Sequence, residues 1–261
     1  MLLKNIISFL FFLIFSSNII SVERVPDAFN YSKVTEKLGS KVYDKVKLKN
    51  YLGEDVELGQ FFNEKPVVIN MAYYTCPKLC HLITDALTQV ISLYPKDKLN
   101  NLQILTISFD HRESSLTAES FRDKYLSKLD SSLRDSVNWQ FLYGDSVEIK
   151  KLTDSIGYNY YFNAKSEQFS HPSVLVFLSP NGMISRYLYG IVFDLFDFKL
   201  SIAESNRNNT LSTVESMLLF CYNYDPDEKG YVLEAIRLMK VTGLLTVFFL
   251  IIFIYKLSRT N

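Results

Sequence analysis

The chain has 261 residues, of which 48% are hydrophobic, and its 28 Lys and Arg residues balance 28 Asp and Glu residues. This size allows one sizeable folded domain with accessory segments, and the balanced charge gives no electrostatic reason to expect nucleic-acid binding. Three cysteines are too few for a disulfide scaffold, so a close pair of cysteines is a candidate for chemistry rather than for a structural staple.

The N-terminus has the residue order of a secretory signal. Lys4 precedes a largely apolar run over residues 6–15, and small residues follow at Ser16, Ser17 and Ser21. Residues 1–21 are therefore predicted to form a signal peptide or, if they are not cleaved, an N-terminal anchor. Residues 22–40 are polar and mixed and are predicted to be a lead-in to the main domain. Residues 42–59 contain two glycines and suggest a small hairpin.

A central stretch joins a strand to a helix and carries two cysteines. The segment Val67 to Tyr74 is almost continuously apolar and rich in Val, Ile and Tyr, which predicts a strand buried on both faces. Behind Pro77, apolar residues recur at helical spacing: Leu79, Leu82, Ile83, Ala86, Leu87, Val90 and Ile91. Cys76 and Cys80 would thus lie about one turn apart at the start of a helix, where both sulfurs can face the same side. Unpaired N–H groups and the positive end of the helix dipole favour thiolates there, and thiolates bond soft metals or attack disulfides.

The following segments alternate between strands and helices. A second buried strand is predicted over residues 102–109, and Ser114 and Ser115 offer N-caps to a helix that reaches Leu129. The order strand, helix, strand, helix implies a parallel pair with a crossover. A short strand over residues 139–143 and a helix over residues 147–156 come next, and residues 158–162 form a short extended piece.

The last part of this domain is predicted to be an antiparallel hairpin. Asn181 and Gly182 lie between apolar runs over residues 173–178 and 183–189, and Asn-Gly is the strongest short hairpin signal. A helix over residues 194–204 closes the domain. The predicted fold class is therefore α/β, a thioredoxin-like fold over residues 41–205 with a central mixed sheet flanked by helices. Because the ends of parallel strands form the reactive edge of such a sheet, Cys76 and Asp110 are expected there.

The C-terminal segment is predicted to cross a membrane. Residues 206–236 have the composition of a linker and a juxtamembrane segment, with a helical pattern over residues 211–221, and the run from Val241 to Tyr255 contains no charged residue. A helix of about twenty residues is about 30 Å long, which is enough to span a bilayer, so residues 237–257 are assigned as a transmembrane helix; a buried core helix is the alternative. The basic Lys256 and Arg259 would stay inside, which places the soluble domain on the periplasmic or external side of the cytoplasmic membrane.

Several motifs in order resemble the SCO/SenC family of copper-handling proteins. They are Tyr-Tyr-Thr-Cys-Pro-Lys-Leu-Cys at 73–80, Ser-Phe-Asp at 108–110 with Arg112 and Glu113, and His171 before an apolar strand and a Pro-Asn-Gly turn. The resemblance covers roughly residues 40–205. The segment 218–226, followed by a membrane span, resembles a bacterial branch of the family that is anchored at its C-terminus.

The resemblance implies a copper site, because two cysteines and one histidine of the family bind copper. The corresponding residues here are Cys76, Cys80 and His171. The donor chemistry agrees independently, since two thiolates and one imidazole suit Cu(I), whereas structural zinc normally takes four ligands. Cu(I) is the expected cargo, with Cu(II) as an alternative. The alternatives for these residues are a simple disulfide or two buried thiols, and an ordinary histidine at a strand edge.

Four further residues are assigned around this site. Asp110 matches a family aspartate and is expected to orient or polarise the site from outside the ligand shell, with a solvated carboxylate as the alternative. His111 is placed beside it, and ligation by His111 is a further alternative. His81 points about 100° away from Cys80 on the helix, so a surface role is favoured over ligation. Cys221 is interpreted as a packed or membrane-proximal thiol.

Two functions from different classes fit these predictions. The first is a metallochaperone that delivers copper to the copper centre of cytochrome c oxidase, with the copper-bearing subunit, other copper donors, thiol reductants and the membrane as partners. The second is an enzyme, a membrane-tethered thiol-disulfide oxidoreductase in which Cys76 attacks and Cys80 resolves. A sensing module without turnover is a third and weaker interpretation.

Overall fold

The structure is a computed structural model that describes residues 32–62, 64–76, 80–164, 167–206, 222–225, 230–233 and 235–260. The predicted signal segment at 1–21, most of the lead-in, the helical pattern at 211–221 and Cys221 lie outside the described residues.

Eleven strands and seven α-helices are present in the described part of the chain. The strands are β1 Lys47–Asn50, β2 Asp55–Glu57, β3 Val67–Ala72, β4 Gln103–Ser108, β5 Asn138–Tyr143, β6 Tyr161–Asn163, β7 Gln168–Ser170, β8 Val174–Leu178, β9 Ile184–Tyr189, β10 Tyr222–Asp225 and β11 Gly230–Leu233. The helices are α1 Cys80–Leu93, α2 Lys96–Leu99, α3 Ser115–Leu126, α4 Ser131–Arg134, α5 Ser146–Ser155, α6 Leu195–Ser205 and α7 Ala235–Thr260, and a 3-10 helix covers Leu58–Phe61.

Seven strands form one mixed sheet in the order β2-β1-β5-β4-β3-β8-β9. β3, β4 and β5 run parallel, as the crossover pattern predicts, and β8 lies antiparallel to β3 on its other side. The carboxyl ends of β3 and β4 therefore lie at the same edge of the sheet as the start of β8. This edge receives the segments that carry Cys76, Asp110 and His171.

The sheet is covered on both faces, which explains the continuous apolar character of its central strands. Val68 and Ala72 of β3 pack into a core with α1, α3 and α6. Val67, Ile69 and Met71 of the same strand pack into a second core with α5 and the 3-10 helix. All six residues of β3 are buried, which confirms the predicted strand between two layers. The fold is the predicted mixed α/β, thioredoxin-like arrangement.

Local sequence signals account for several element boundaries. The Asp145 side chain accepts hydrogen bonds from the backbone N–H groups of Val147 and Glu148 and so begins α5. The helix is followed by Gly157, which has φ +67°, and a Cβ atom at this position would lie 1.9 Å from the carbonyl oxygen of Thr35. Only glycine fits this close approach between the lead-in and the end of α5.

The hairpins agree with the sequence only in part. β8 and β9 form the predicted antiparallel hairpin, with Gly182 at φ +80° in the connecting turn. The predicted lead-in hairpin is formed by β1 and β2, and β1 also joins the main sheet beside β5. The single extended piece predicted at 158–162 is instead followed by the hairpin β6–β7, and β10–β11 lies inside the segment predicted to be a linker. The helix predicted to reach Leu129 ends at Leu126.

The last helix, α7, covers the whole segment that the sequence assigns to a membrane span, residues 237–257. Within the residues that the structure describes, no helix has the combination of length and hydropathy that crossing a bilayer requires. The C-terminal span stays a prediction.

Candidate metal centre

Cys76 lies in the turn that follows β3, at the edge of the sheet. Its backbone N–H donates to the carbonyl of Tyr73 at 3.3 Å. The residue is 6% exposed and belongs to the same apolar cluster as Tyr73, Phe109 and Tyr158.

Cys80 is the first residue of α1, and its side chain lies outside the described part of the chain. The predicted helix after the strand is thus present from Cys80 onward, whereas residues 77–79, where the sequence places its first turn, lie outside the described part of the chain.

His171 lies at the same edge, just before β8. Its ring packs against Tyr73 and Phe109, with ring centroids 6.3 Å and 5.1 Å apart. The two rings that His171 contacts belong to the same apolar cluster as Cys76, although Cys76 and His171 are far apart in the sequence. Among the side chains that the structure describes, no three His, Cys, Asp or Glu residues are grouped as a metal site would require. The described set does not include the side chain of Cys80.

The hydrogen bonds of His171 select one tautomer of its ring. Nδ1 is 3.1 Å from the carbonyl oxygen of Pro172, which can only accept, so Nδ1 carries the proton. The Tyr158 hydroxyl lies 3.0 Å from the same nitrogen and donates to the Pro172 carbonyl at 3.1 Å. In this tautomer Nε2 presents the lone pair that a metal needs.

The ionisation of His171 also fits a ligand. Burial lowers the pKa of the His171 ring below its ordinary value, and the hydrogen bond to the Pro172 carbonyl opposes this shift. The ring is therefore neutral at neutral pH, which is the form that binds metals.

Asp110 is buried after β4 and engages Arg112. Arg112 Nε donates to Oδ1 at 2.8 Å and Nη2 donates to Oδ2 at 2.7 Å, so the pair is bidentate. Burial alone would raise the pKa of Asp110, but the hydrogen bonds from Arg112 outweigh it and hold the pKa below its ordinary value. The guanidinium also lies over the rings of Phe162 and Phe169, at 5.2 Å and 5.5 Å from their centroids. Asp110 thus holds Arg112 in place, and Arg112 packs against the β6–β7 hairpin. Phe169 of this hairpin packs in turn against Tyr73 and Phe109.

Glu113 supports the segment before Cys76, although no role was predicted for it from the sequence. Its Oε1 accepts from the backbone N–H and from the hydroxyl of Thr75, both at 3.0 Å. The residue is 7% exposed, and its Oε2 is buried with no hydrogen-bond partner among the described protein atoms. Glu113 therefore ties the residue before Cys76 to the loop between β4 and α3. In the sequence, Glu113 stood out only as part of the motif after the second buried strand that resembles the family, with no role attached to it.

His81 is half-buried rather than a simple surface residue. Its ring stacks on Phe121 and Tyr125 of α3, and its Nδ1 lies 2.8 Å from the Tyr125 hydroxyl and 3.2 Å from Lys124 Nζ. Because a lysine ammonium can only donate, Nδ1 is the acceptor nitrogen. Burial and the charge of Lys124 lower the pKa of His81, while a hydrogen bond to the Cys76 backbone raises it. His81 thus connects the Cys76 segment to α3, and its Nδ1 lone pair accepts from Lys124, while the Tyr125 hydroxyl donates to the His81 carbonyl.

His111 is exposed and faces another region. It lines a cavity of about 350 Å³ together with Lys47, Lys49 and Tyr143 from β1 and β5. Neither Cys76 nor His171 lines this cavity. His171 and Arg112, the partner of Asp110, therefore contact the Tyr73–Phe109–Phe169 rings, which pack in the same apolar cluster as Cys76, whereas His111 lies at a separate cavity.

Comparison with known proteins gives a family match over more than half of the chain. Residues 36–191 match the SCO1/SenC family. No protein among the curated sequences matches significantly.

Solved structures with the same fold include three that cover about two thirds of the chain. A protein from Aquifex aeolicus VF5 is 25% identical, with a TM-score of 0.57 over 66% of this chain and 95% of its own. Arabidopsis thaliana ScoI, solved with copper bound, is 19% identical, with a TM-score of 0.50 over 66% of this chain and 99% of its own. BsSco, described with a disulfide switch and as a member of the Sco family of cytochrome c oxidase assembly proteins, is 18% identical, with a TM-score of 0.52 over 67% of this chain and 98% of its own.

Proposed function

Because the chain belongs to the SCO1/SenC family, we propose that it is a copper metallochaperone that binds copper through Cys76, Cys80 and His171. The proposed acceptor is the copper centre of cytochrome c oxidase. Copper is the cargo, and Cu(I) is the expected state because thiolate ligands are soft.

One observation carries this proposal. The rings that His171 contacts, Tyr73 and Phe109, belong to the same buried apolar cluster as Cys76 at one edge of the sheet, and the His171 tautomer leaves the lone pair on Nε2 for a metal. Cys80, at the first position of α1, supplies the second thiolate in the proposed site. A three-ligand site lets an incoming thiolate of the acceptor bind before a ligand leaves, so copper need not be released into water.

The test is a titration of the reduced full chain with Cu(I) in competition with a chelator. A Cys221→Ser background limits the thiols to the candidate pair. We expect one equivalent bound tightly, and loss of that binding in the Cys76→Ala, Cys80→Ala double variant. Undiminished binding in the double variant would contradict the proposal.

A thiol-disulfide oxidoreductase is the second candidate, favoured by the position of Cys80 in the first turn of α1, with Cys76 four residues before it in the chain. In this reaction the Cys76 thiolate attacks a disulfide of the acceptor and releases one acceptor thiolate. Cys80 then attacks the mixed disulfide, so that the acceptor leaves as a dithiol and the Cys76–Cys80 pair is oxidised.

His171 distinguishes the two functions. A His171→Ala variant should lose tight Cu(I) binding but largely keep disulfide exchange, because the imidazole is a ligand and not a reacting group. If disulfide exchange falls as completely as copper binding, this separation of roles is wrong.

We further propose that the chain is tethered to the cytoplasmic membrane by α7, with its folded domain on the outer side. The support is the uncharged run from Val241 to Tyr255 and the exposure of its described apolar side chains, such as Leu244 and Phe249. A tether would keep the copper donor in the same plane as a membrane-bound oxidase.

A further inference from the structure

A second cavity, of about 320 Å³, is lined by residues that flank the two cysteines in the sequence. Its lining includes Thr75, the residue before Cys76, and His81, the residue after Cys80. The remaining wall is formed by Tyr74 and by α3, which contributes Leu116, Phe121 and Lys124 among others. The cavity is therefore next to both cysteines along the chain, on the α3 side.

Lys124 supplies the positive charge at the surface of this cavity, whereas the Glu113 carboxylate lies behind the wall, bonded to Thr75. None of the described lining residues is acidic. Lys124 Nζ lies 3.2 Å from His81 Nδ1, and an ammonium group has three N–H donors, so two donors can serve another acceptor. Three hydroxyl-bearing residues are also in the wall; Thr75 donates to Glu113 and Thr117 donates to the Ser114 carbonyl, so the Ser120 hydroxyl is the one that can face a ligand. An anionic oxygen acceptor fits this arrangement.

The rim of the cavity is apolar. Leu116 is 74% exposed, and the ring of Phe121 forms part of the wall. A cationic group beside exposed apolar surface suits a peptide that combines a carboxylate with aliphatic surface rather than a free inorganic anion.

We propose that this cavity receives an acidic side chain of the partner segment whose cysteine sulfur exchanges with Cys76. The carboxylate would pair with Lys124, while the neighbouring cysteine sulfur of the partner lies next to Cys76. This inference rests on the proposed thiol exchange at Cys76 and Cys80. It adds the class of partner sequence, an Asp or Glu close to the exchanging cysteine.

The test uses two matched probes, acetyl-Glu-Cys-amide and acetyl-Gln-Cys-amide, each activated as a mixed disulfide with 2-thiopyridine. The Cys76 thiolate attacks the peptide sulfur, a new S–S bond forms, the old one breaks, and thiopyridone leaves with the electron pair and takes up a proton. The released thiopyridone gives the second-order rate constant. The full chain carries Cys221→Ser, and the readout is the ratio of the Glu-probe rate to the Gln-probe rate.

At low ionic strength we expect the Glu probe to react about two- to fivefold faster, the size of effect that an exposed ion pair gives. The ratio should fall towards one in Lys124→Gln, fall below one in Lys124→Glu, and decrease with added salt. Lys128→Gln is the control, since Lys128 lies four residues further along the chain, just after the end of α3, and pairs with Asp85. It changes the net charge equally and should keep the ratio.

Equal rates for the two probes in the unsubstituted protein, or the same ratio in Lys124→Gln, would overturn the acidic-partner inference while leaving thiol exchange intact. If neither probe reacts although Cu(I) still binds, the exchange function fails and the inference fails with it.

Discussion

The two histidines nearest to the cysteines have opposite tautomers, and this separates their roles. Nδ1 of His171 carries a proton because it faces the Pro172 carbonyl, whereas Nδ1 of His81 accepts from Lys124. His171 can therefore present Nε2 to a metal, and His81 serves to connect the Cys76 segment with α3. Spacing in the sequence could not distinguish them in this way, since Tyr125 and Lys124 are more than 40 residues from His81.

The hydroxyl of Tyr158 should matter for copper affinity because it touches both His171 Nδ1 and the Pro172 carbonyl. We expect Tyr158→Phe to weaken Cu(I) binding about tenfold, the lower end of the range for partners that orient metal ligands. Competition with a Cu(I) chelator measures this. Tyr160→Phe is the control, because it removes a hydroxyl from another ring that packs on Phe109. Equal affinities in the two variants would show that the Tyr158 hydroxyl does not orient the imidazole.

The Asp110–Arg112 pair should give the folded state a defined pH dependence. The Arg112 hydrogen bonds outweigh the cost of burial and lower the pKa of Asp110, so the pair stabilises the fold above the unfolded pKa of about 3.9. That stability is lost as the pH falls through the lower, folded pKa. Because Arg112 is half exposed, we expect Asp110→Asn to cost about 1.5 kcal/mol at pH 7.

Urea unfolding across the acid range checks this prediction. The stability difference between the unsubstituted protein and Asp110→Asn should shrink below about pH 4, where the carboxylate begins to be protonated. Asp97→Asn on α2, an exposed site, should show neither effect. A difference that stays constant from pH 7 to pH 3 would exclude the titration of Asp110 as its cause.

Among the elements, those with strong local signals were predicted from sequence. The buried run of β3, the strand β4, and the Asn181–Gly182 hairpin are all where the pattern placed them. The hairpin β6–β7 was not predicted because its strands have three residues each and are only partly buried. They are too short for an alternation of apolar and polar residues to be recognised in the sequence. Its stability depends on Arg112 packing over Phe162 and Phe169, which is a tertiary contact.

The helix α7 is the element on which the proposed tether depends. An arginine at the centre of a membrane span costs about 2.5–3.5 kcal/mol of insertion free energy. We therefore expect Leu250→Arg to reduce the fraction of the full chain that stays with membranes after carbonate extraction. Met239→Arg, next to Lys240 at the start of the run, should have little effect. If Leu250→Arg and the unsubstituted protein are extracted equally, the helix is not the anchor.

At the scale of the whole molecule, the order of the strands assembles the candidate site. Cys76 follows β3 and Asp110 follows β4, and the parallel pairing of these strands places both at one edge. His171 precedes β8, which reaches the same edge only because β8 runs antiparallel to β3. The sequence predicted the two parallel strands and the hairpin, but the pairing of β8 with β3 is non-local and has no signature in a single segment. The family resemblance, rather than periodicity, was what connected His171 with the cysteines.

Copper should therefore stabilise the entire domain, because its proposed ligands come from the β3–α1 junction and from the segment before β8. A ligand that binds only the folded state adds about 2.7 kcal/mol when its free concentration is 100 times its Kd. For a chain of this size, that corresponds to a rise in Tm of about 5–10 °C. We expect this rise for the reduced protein in buffered Cu(I), measured by calorimetry, and a smaller rise at acid pH, where protons compete for the thiolates and the imidazole. His171→Ala and the oxidised protein should show little change. An equal rise in His171→Ala would mean that the metal is held elsewhere, and no rise in the reduced protein would contradict binding at this edge of the sheet.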